Sequence, residues 1–271
     1  EAEEDPSLSS SSSSSPEKDK KGPNAATTKA DTGRGVASTN ATLLRVAKKP
    51  KYWRWMAGTG GTWLLLDISL YGFGLMGPFV VATTFSPDES VLANSWQQFA
   101  ALAFTPPAVI CTILLLKRGF EPKFLQYLGF YGMAVSFVLF LIVRTVPGVP
   151  DWLHYAVYCL INYATWFGPI VTTFLLPAAT YPAATRATLN GFSSALSKVG
   201  AIIGTEALPI IRDTYGLNAV IVVNAVVSLL GAFLTHACTD NVLSEPIHYD
   251  DDELGIFDND DAPKQHTIAS A

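Results

Sequence analysis

Metal ligands and nucleophiles are scarce in this chain of 271 residues, which has three cysteines, four histidines and three methionines. Cys111, Cys159 and Cys238 lie in or at the end of apolar runs and show neither disulfide nor metal spacing, so they read as small buried hydrophobes. His154, His236, His248 and His266 show no metal spacing either, and no Ser/His/Asp or Cys/His arrangement can be assembled around them. The chain is therefore not read as an enzyme, and no cofactor or metal is expected. Charge is also thin, at 15% of residues, and most of it sits in the two terminal segments. The net charge of -5 thus describes the tails and not the body.

Long apolar runs are what the chain has in abundance. Hydrophobic residues make up 49% of it, and the mean hydropathy is +0.28. Residues 1–52 are low in complexity, with a serine run from Ser9 to Ser15 followed by lysine-rich and threonine-rich sequence, and are expected to be a disordered cytoplasmic segment. Residues 53–238 hold six apolar spans, at roughly 59–83, 98–116, 124–143, 152–177, 187–211 and 217–238. From Thr239 the chain turns acidic, and 239–271 is expected to be a disordered cytoplasmic tail. The fold class that follows is an all-α membrane protein of six transmembrane helices.

Lysine and arginine counts set the orientation. Arg45, Lys48, Lys49, Lys51 and Arg54 precede the first span, Lys117, Arg118 and Lys123 follow the second, and Arg186 follows the fourth, against only Arg144 and Arg212 in the alternate connections. Both termini are expected to be cytoplasmic, which places the sequon at Asn40 on the wrong side for glycosylation. The basic run at 48–51, with Trp53, Arg54 and Trp55, reads as an anchor to anionic lipid beside a span and not as a nucleic-acid site.

Helix breakers punctuate the spans: Pro78 after three glycines, Pro106 and Pro107, Pro169, Pro177 and Pro209. The glycines Gly72, Gly74 and Gly77 match a dinucleotide-binding pattern but follow an apolar helix instead of a strand, so that reading is dismissed. Gly200 and Gly204 form a small-xxx-small pair suited to close helix packing.

Two intramembrane charges carry the chemistry. Asp67 lies in the first span with Trp63 and Tyr71 four residues to either side, a spacing that spreads the three over about 80° of one face. Lys198 lies in the fifth span and is expected to face the interior, because lipid solvates neither group. The two are either a structural ion pair or parts of a polar cavity in which Lys198 attracts an anion and Asp67 exchanges a proton. Glu206, about two turns beyond Lys198, is read as a third buried carboxylate without an assigned role.

These residues resemble the C-terminal half of a proton-coupled phosphate transporter of the major facilitator superfamily. The resemblance is carried by GTGGTWLLLDISLYG at 58–72, WFGP at 166–169, TTFLLP at 172–177, YPA at 181–183 with Arg186, Thr188 and Gly191, and KVGAIIG at 198–204. It implies six helices equivalent to helices 7–12, with Trp63, Asp67, Tyr71 and Lys198 binding substrate and Asp67 coupling protons. The implied partners are phosphate or a related small anion, protons, the lipid bilayer and a missing N-terminal six-helix half. The chain would then be a fragment of a plasma-membrane symporter. Ile170 stands where the family carries asparagine and Ala179 where it carries glutamate. These departures leave two alternatives open: an organophosphate or other solute as substrate, or a non-transporting membrane sensor or scaffold.

Overall fold

The computed structural model describes residues 43–84, 90–244 and 247–249, and all regular structure among them is helical. Helix α1 (Pro50–Leu75) opens with proline at its first turn, where the missing N–H has no partner to lose. It contains a π-helical stretch, Ala57–Gly61. At Met76 the chain bends by 52° into α2 (Gly77–Thr84), whose second residue is Pro78. Helix α3 (Val91–Leu102) is capped by the Ser90 hydroxyl, which accepts from the Ala93 N–H at 3.3 Å. After a break at Ala103 and Phe104 comes α4 (Thr105–Lys117), with Pro106 and Pro107 in its first turn.

Helices α5 (Pro122–Thr145), α6 (Asp151–Trp166), α7 (Pro169–Thr180), α8 (Ala183–Tyr215) and α9 (Leu217–Cys238) follow. Gly168 joins α6 to α7 at φ +79, a conformation that disfavours any side chain, and a Cβ there would lie 2.3 Å from the Leu125 carbonyl oxygen. The Gly168 N–H left free by the break is taken up by Thr112 Oγ1 at 2.8 Å.

Counting α3 with α4 and α6 with α7 as single spans, five segments are long and apolar enough to cross a membrane, and α1 with α2 makes a sixth. The six spans expected from hydropathy are therefore present. Their bounds differ: the second begins at Val91 and not near 98, because its first two turns carry Asn94, Ser95, Gln97 and Gln98 and hide it from a hydropathy window. Pro177 and Pro209 lie inside continuous helices.

The main core lies among α1, α5, α6 and α9, where Phe73, Phe137, Phe140 and Tyr158 meet. The Phe73 ring stands edge-on to Phe137 at 5.0 Å. Many other apolar side chains, such as Leu114, Val138 and Phe233, are exposed, as a lipid-facing surface requires. The three cysteines are free; Cys159 is buried, while Cys111 and Cys238 are only half-buried.

Close backbone approach fixes α8 against α1. A Cβ at Gly200 would lie 2.2 Å from the Leu64 carbonyl oxygen, and one at Gly204 would lie 2.3 Å from that of Ile68. Ser193 and Ser197 continue this small-residue stripe and are fully buried. The pair of glycines thus serves packing, and the helix it holds carries Lys198 past Asp67.

Candidate functional site

Asp67 sits about two thirds of the way along α1 and is buried, with 2% of its surface exposed. Lys198 Nζ on α8 approaches its Oδ2 at 3.9 Å, too far for a hydrogen bond. That oxygen has no hydrogen-bond partner among the described residues. The Ser197 hydroxyl lies beside the carboxyl, but it donates its single proton to the Ser194 carbonyl at 2.9 Å. The carboxyl therefore retains unused hydrogen-bonding capacity inside the protein.

Lys198 Nζ also lies 5.6 Å from the Tyr71 ring centre, so three of the four expected site residues meet. Trp63 stands one turn earlier, buried, with its ring edge-on to Phe174 of α7 at 4.4 Å. Ser197 and Phe174 belong to this cluster and were not singled out in the sequence, although Ser197 directly precedes Lys198 in the small-residue stripe.

Lys198 lies on a side of α8 that no described residue covers, and its side chain is 63% exposed. The contact stripe of α8 runs through Ser193, Ser197, Gly200 and Gly204, and Lys198 is one residue, about 100°, off it. Glu206 is exposed as well, and not buried as expected, because the stripe continues through Leu208 and leaves Glu206 on the uncovered side. Tyr71 and Phe174 share this exposure. The site thus has a buried acidic floor beneath an open rim bearing a cation and two aromatic rings.

Ile170 packs against the main hydrophobic core and offers no polar side-chain atom. Ala179 is exposed.

A second polar system closes one end of the bundle. The start of α1 and the end of α9 meet there, where a Cβ on Gly58 would lie 2.5 Å from the Cys238 carbonyl oxygen. Beyond α9, residues 239–244 and 247–249 fold back across this end, which had not been expected of the acidic tail; the remainder of that tail and residues 1–42 lie outside the described residues. Asp240 accepts from Arg54 at 2.5 and 2.8 Å and from Trp55 Nε1 at 2.7 Å. Lys51 donates to the His248 carbonyl at 3.2 Å, and the Tyr249 hydroxyl donates to the Thr180 carbonyl at 2.6 Å.

Glu121, in the loop between α4 and α5, accepts from three successive backbone N–H groups, those of Val242, Leu243 and Ser244. Partial burial pushes its carboxyl upward, but these hydrogen bonds outweigh that effect and hold it below its ordinary value. Below this folded-back segment, the strap, Thr59 Oγ1 links to the Tyr181 hydroxyl at 2.8 Å and to Ser193 Oγ at 3.1 Å. One turn deeper, Gln126 Nε2 bridges Thr62 and Thr235 at 3.1 Å each.

No protein-family profile matches the chain. Individual proteins do. It is 35% identical over 193 residues to the inorganic phosphate transporter PT2 of Toxoplasma gondii, covering 70% of this chain and 34% of that protein. It is 28% identical over 192 residues to the probable inorganic phosphate transporter 1-6 of Arabidopsis thaliana, covering 66% and 37% respectively. Over 163 residues it is 35% identical to the inorganic phosphate transporter 1-6 of Oryza sativa subsp. japonica, covering 55% and 30%. The chain spans about a third of the length of these relatives. Six apolar spans make the chain a multi-pass membrane protein, related in sequence over part of its length to about a third of each of these inorganic phosphate transporters.

Proposed function

We propose that this chain supplies one face of a transport site for phosphate or a closely related anion, taken up together with protons. The observation that carries the reading is the incomplete ion pair. Asp67 is buried with an unpartnered oxygen, while Lys198 reaches it only to 3.9 Å and keeps an open tip. A closed structural pair in a low-dielectric setting would satisfy both groups directly. Lys198 is instead free to turn toward an anion, with Trp63 and Tyr71 shaping and hydrogen-bonding the pocket. A carboxylate beside a bound anion has to be protonated or compensated, which ties anion occupancy to proton occupancy.

The open rim at Tyr71, Phe174 and Lys198 is the surface that a second six-helix half would cover, and the third-length match to the relatives supports a longer protein. In this reading residues 53–238 form the half-bundle, and the flanking segments 1–52 and 239–271 lie in the cytoplasm beneath a plasma membrane. Ile170 favours an anion needing one amide ligand fewer, such as an organophosphate monoanion.

The test is uptake and binding in the full-length protein with Lys198→Ala, Asp67→Asn and the double variant. Lys198→Ala should abolish binding, Lys198→Arg should leave weak activity, and Asp67→Asn should impair proton-driven uptake more than binding. Restored uptake in the doubly neutral variant would show a structural pair and refute the anion site. Binding without uptake in the unaltered protein would identify a sensor.

A further inference from the structure

Ahead of α1, residues 43–47 form a short helical turn that doubles back on it. The Trp53 indole N–H donates to the Ala47 carbonyl at 2.9 Å and pins the turn in place. Val46, within it, is buried in a small cluster with Tyr52, Trp55 and Tyr181. Between this turn, the start of α1 and the start of α8 lies a groove of about 310 Å³, walled by apolar and aromatic side chains that include Leu44, Val46, Tyr52, Trp53, Leu189 and Phe192.

Two basic residues adjoin the groove's lining along the chain. Arg45 stands between the lining residues Leu44 and Val46, and Lys48 follows the lining residue Ala47. Both are exposed, and neither joins an ion pair among the described residues. Their neighbours are already engaged: Arg54 pairs with Asp240, and Lys51 bonds the His248 carbonyl and lies 4.6 Å from the Trp55 ring centre. Two cations are thus left beside an apolar slot, at the depth where a span begins and indole and phenol rings gather.

An apolar slot alone excludes a free inorganic anion, and a pair of basic residues alone gives no reason for an acyl chain. An anionic phospholipid satisfies both. We propose that the groove is a specific site for such a lipid, with one acyl chain between the turn and α8 and the head-group phosphate against Arg45 and Lys48. Bound there, the lipid ties the segment ahead of α1 to the start of α8, the helix that carries Lys198.

The experiment uses the full-length protein in nanodiscs containing a small fraction of phosphatidylserine or phosphatidylcholine with brominated acyl chains. The quenched fluorescence of Trp53 is isolated by difference from Trp53→Phe. Brominated phosphatidylserine should quench Trp53 at a markedly lower mole fraction than the phosphatidylcholine probe. Arg45→Gln and Lys48→Gln should each raise the required fraction by about fivefold. Leu189→Phe, which fills the groove and leaves both basic residues intact, should remove the quenching while thermal unfolding stays unchanged. Three results would overturn the site: equal quenching by both lipids, a serine-lipid preference that survives both charge removals, or quenching that persists in Leu189→Phe. Deleting residues 250–271 should change nothing. A several-fold rise in quenching on that deletion would identify the acidic tail, with its Leu254, Ile256 and Phe257, as the occupant instead.

Discussion

Helix α8 carries a built-in comparison between two glycines. At Gly200 an added Cβ would lie 2.2 Å from the Leu64 carbonyl oxygen, whereas at Gly191 it would meet nothing within 4 Å. To restore ordinary contact at 3.4 Å, Gly200→Ala must push α8 about 1.2 Å off α1. Overpacking of this kind costs about 1–3 kcal/mol. Replacing glycine by alanine within a helix returns at most about 1 kcal/mol. Gly200→Ala should therefore be destabilising by up to about 2 kcal/mol, and Gly191→Ala neutral or stabilising by up to about 1 kcal/mol.

The same displacement would lengthen the Asp67 to Lys198 separation from 3.9 Å to about 5 Å, weakening their attraction by roughly a quarter. Substrate affinity should fall in Gly200→Ala and hold in Gly191→Ala. Thermal unfolding of the purified full-length variants, with substrate titration on the same samples, makes the comparison. Equal midpoints for the two variants would refute the close approach of α8 to α1 and, with it, the positioning of the site.

Other outcomes follow from the closed end and the interior. Glu121 has a carboxyl held below its ordinary value of 4.5, so its contribution to the strap is fully present above that value and is lost as pH falls through the lowered one. Protection factors for exchange at the amides of Val242, Leu243 and Ser244 should be unchanged between pH 7 and 5 and fall only in stronger acid; Glu121→Gln should lower them at pH 7. Trp55→Phe removes the 2.7 Å bond to Asp240 and should cost about 1.5–3 kcal/mol, read as a lower unfolding midpoint. Gln126→Met should change the unfolding free energy by less than about 1 kcal/mol and move that midpoint little. The substitution also removes a buried unpartnered Oε1, and Thr62 and Thr235 keep their bonds to Gly58 and Gly231. Cysteines introduced near Lys49 and Asp251 should label only from the cytosol, and efficient glycosylation at Asn40 would reverse the orientation.

Hydropathy located the spans because lipid imposes a length that sequence cannot disguise. The positions of the breaks were partly legible. Spans break where proline has a glycine or a second proline beside it, at Gly77 and Pro78, at Pro106 and Pro107, and at Gly168 and Pro169, and they continue through Pro177 and Pro209, which lack such a companion. The meeting of Asp67 with Lys198 was legible because two charges in apolar spans have few places to go. Which side of α8 its neighbours cover was not, since periodicity orders faces within one helix without saying which is packed. The exposure of Lys198 and Glu206 on this chain and the place of Ser197 beside Asp67 were therefore not legible. The strap was hidden for another reason: Glu121 binds backbone N–H groups, and these leave no signature in residue types.

The π-helical stretch at Ala57–Gly61 divides α1 into two segments with different angular phase. Upstream, Trp55 addresses Asp240 and Tyr181; downstream, Thr62 addresses Gln126, and Asp67 addresses Lys198. The wider turn is the splice that lets one rod satisfy both sets of neighbours. Deleting a single residue there would leave the helix continuous yet turn one segment by about 100° against the other, so no setting of the rod could then serve the strap and the Asp67 cluster together.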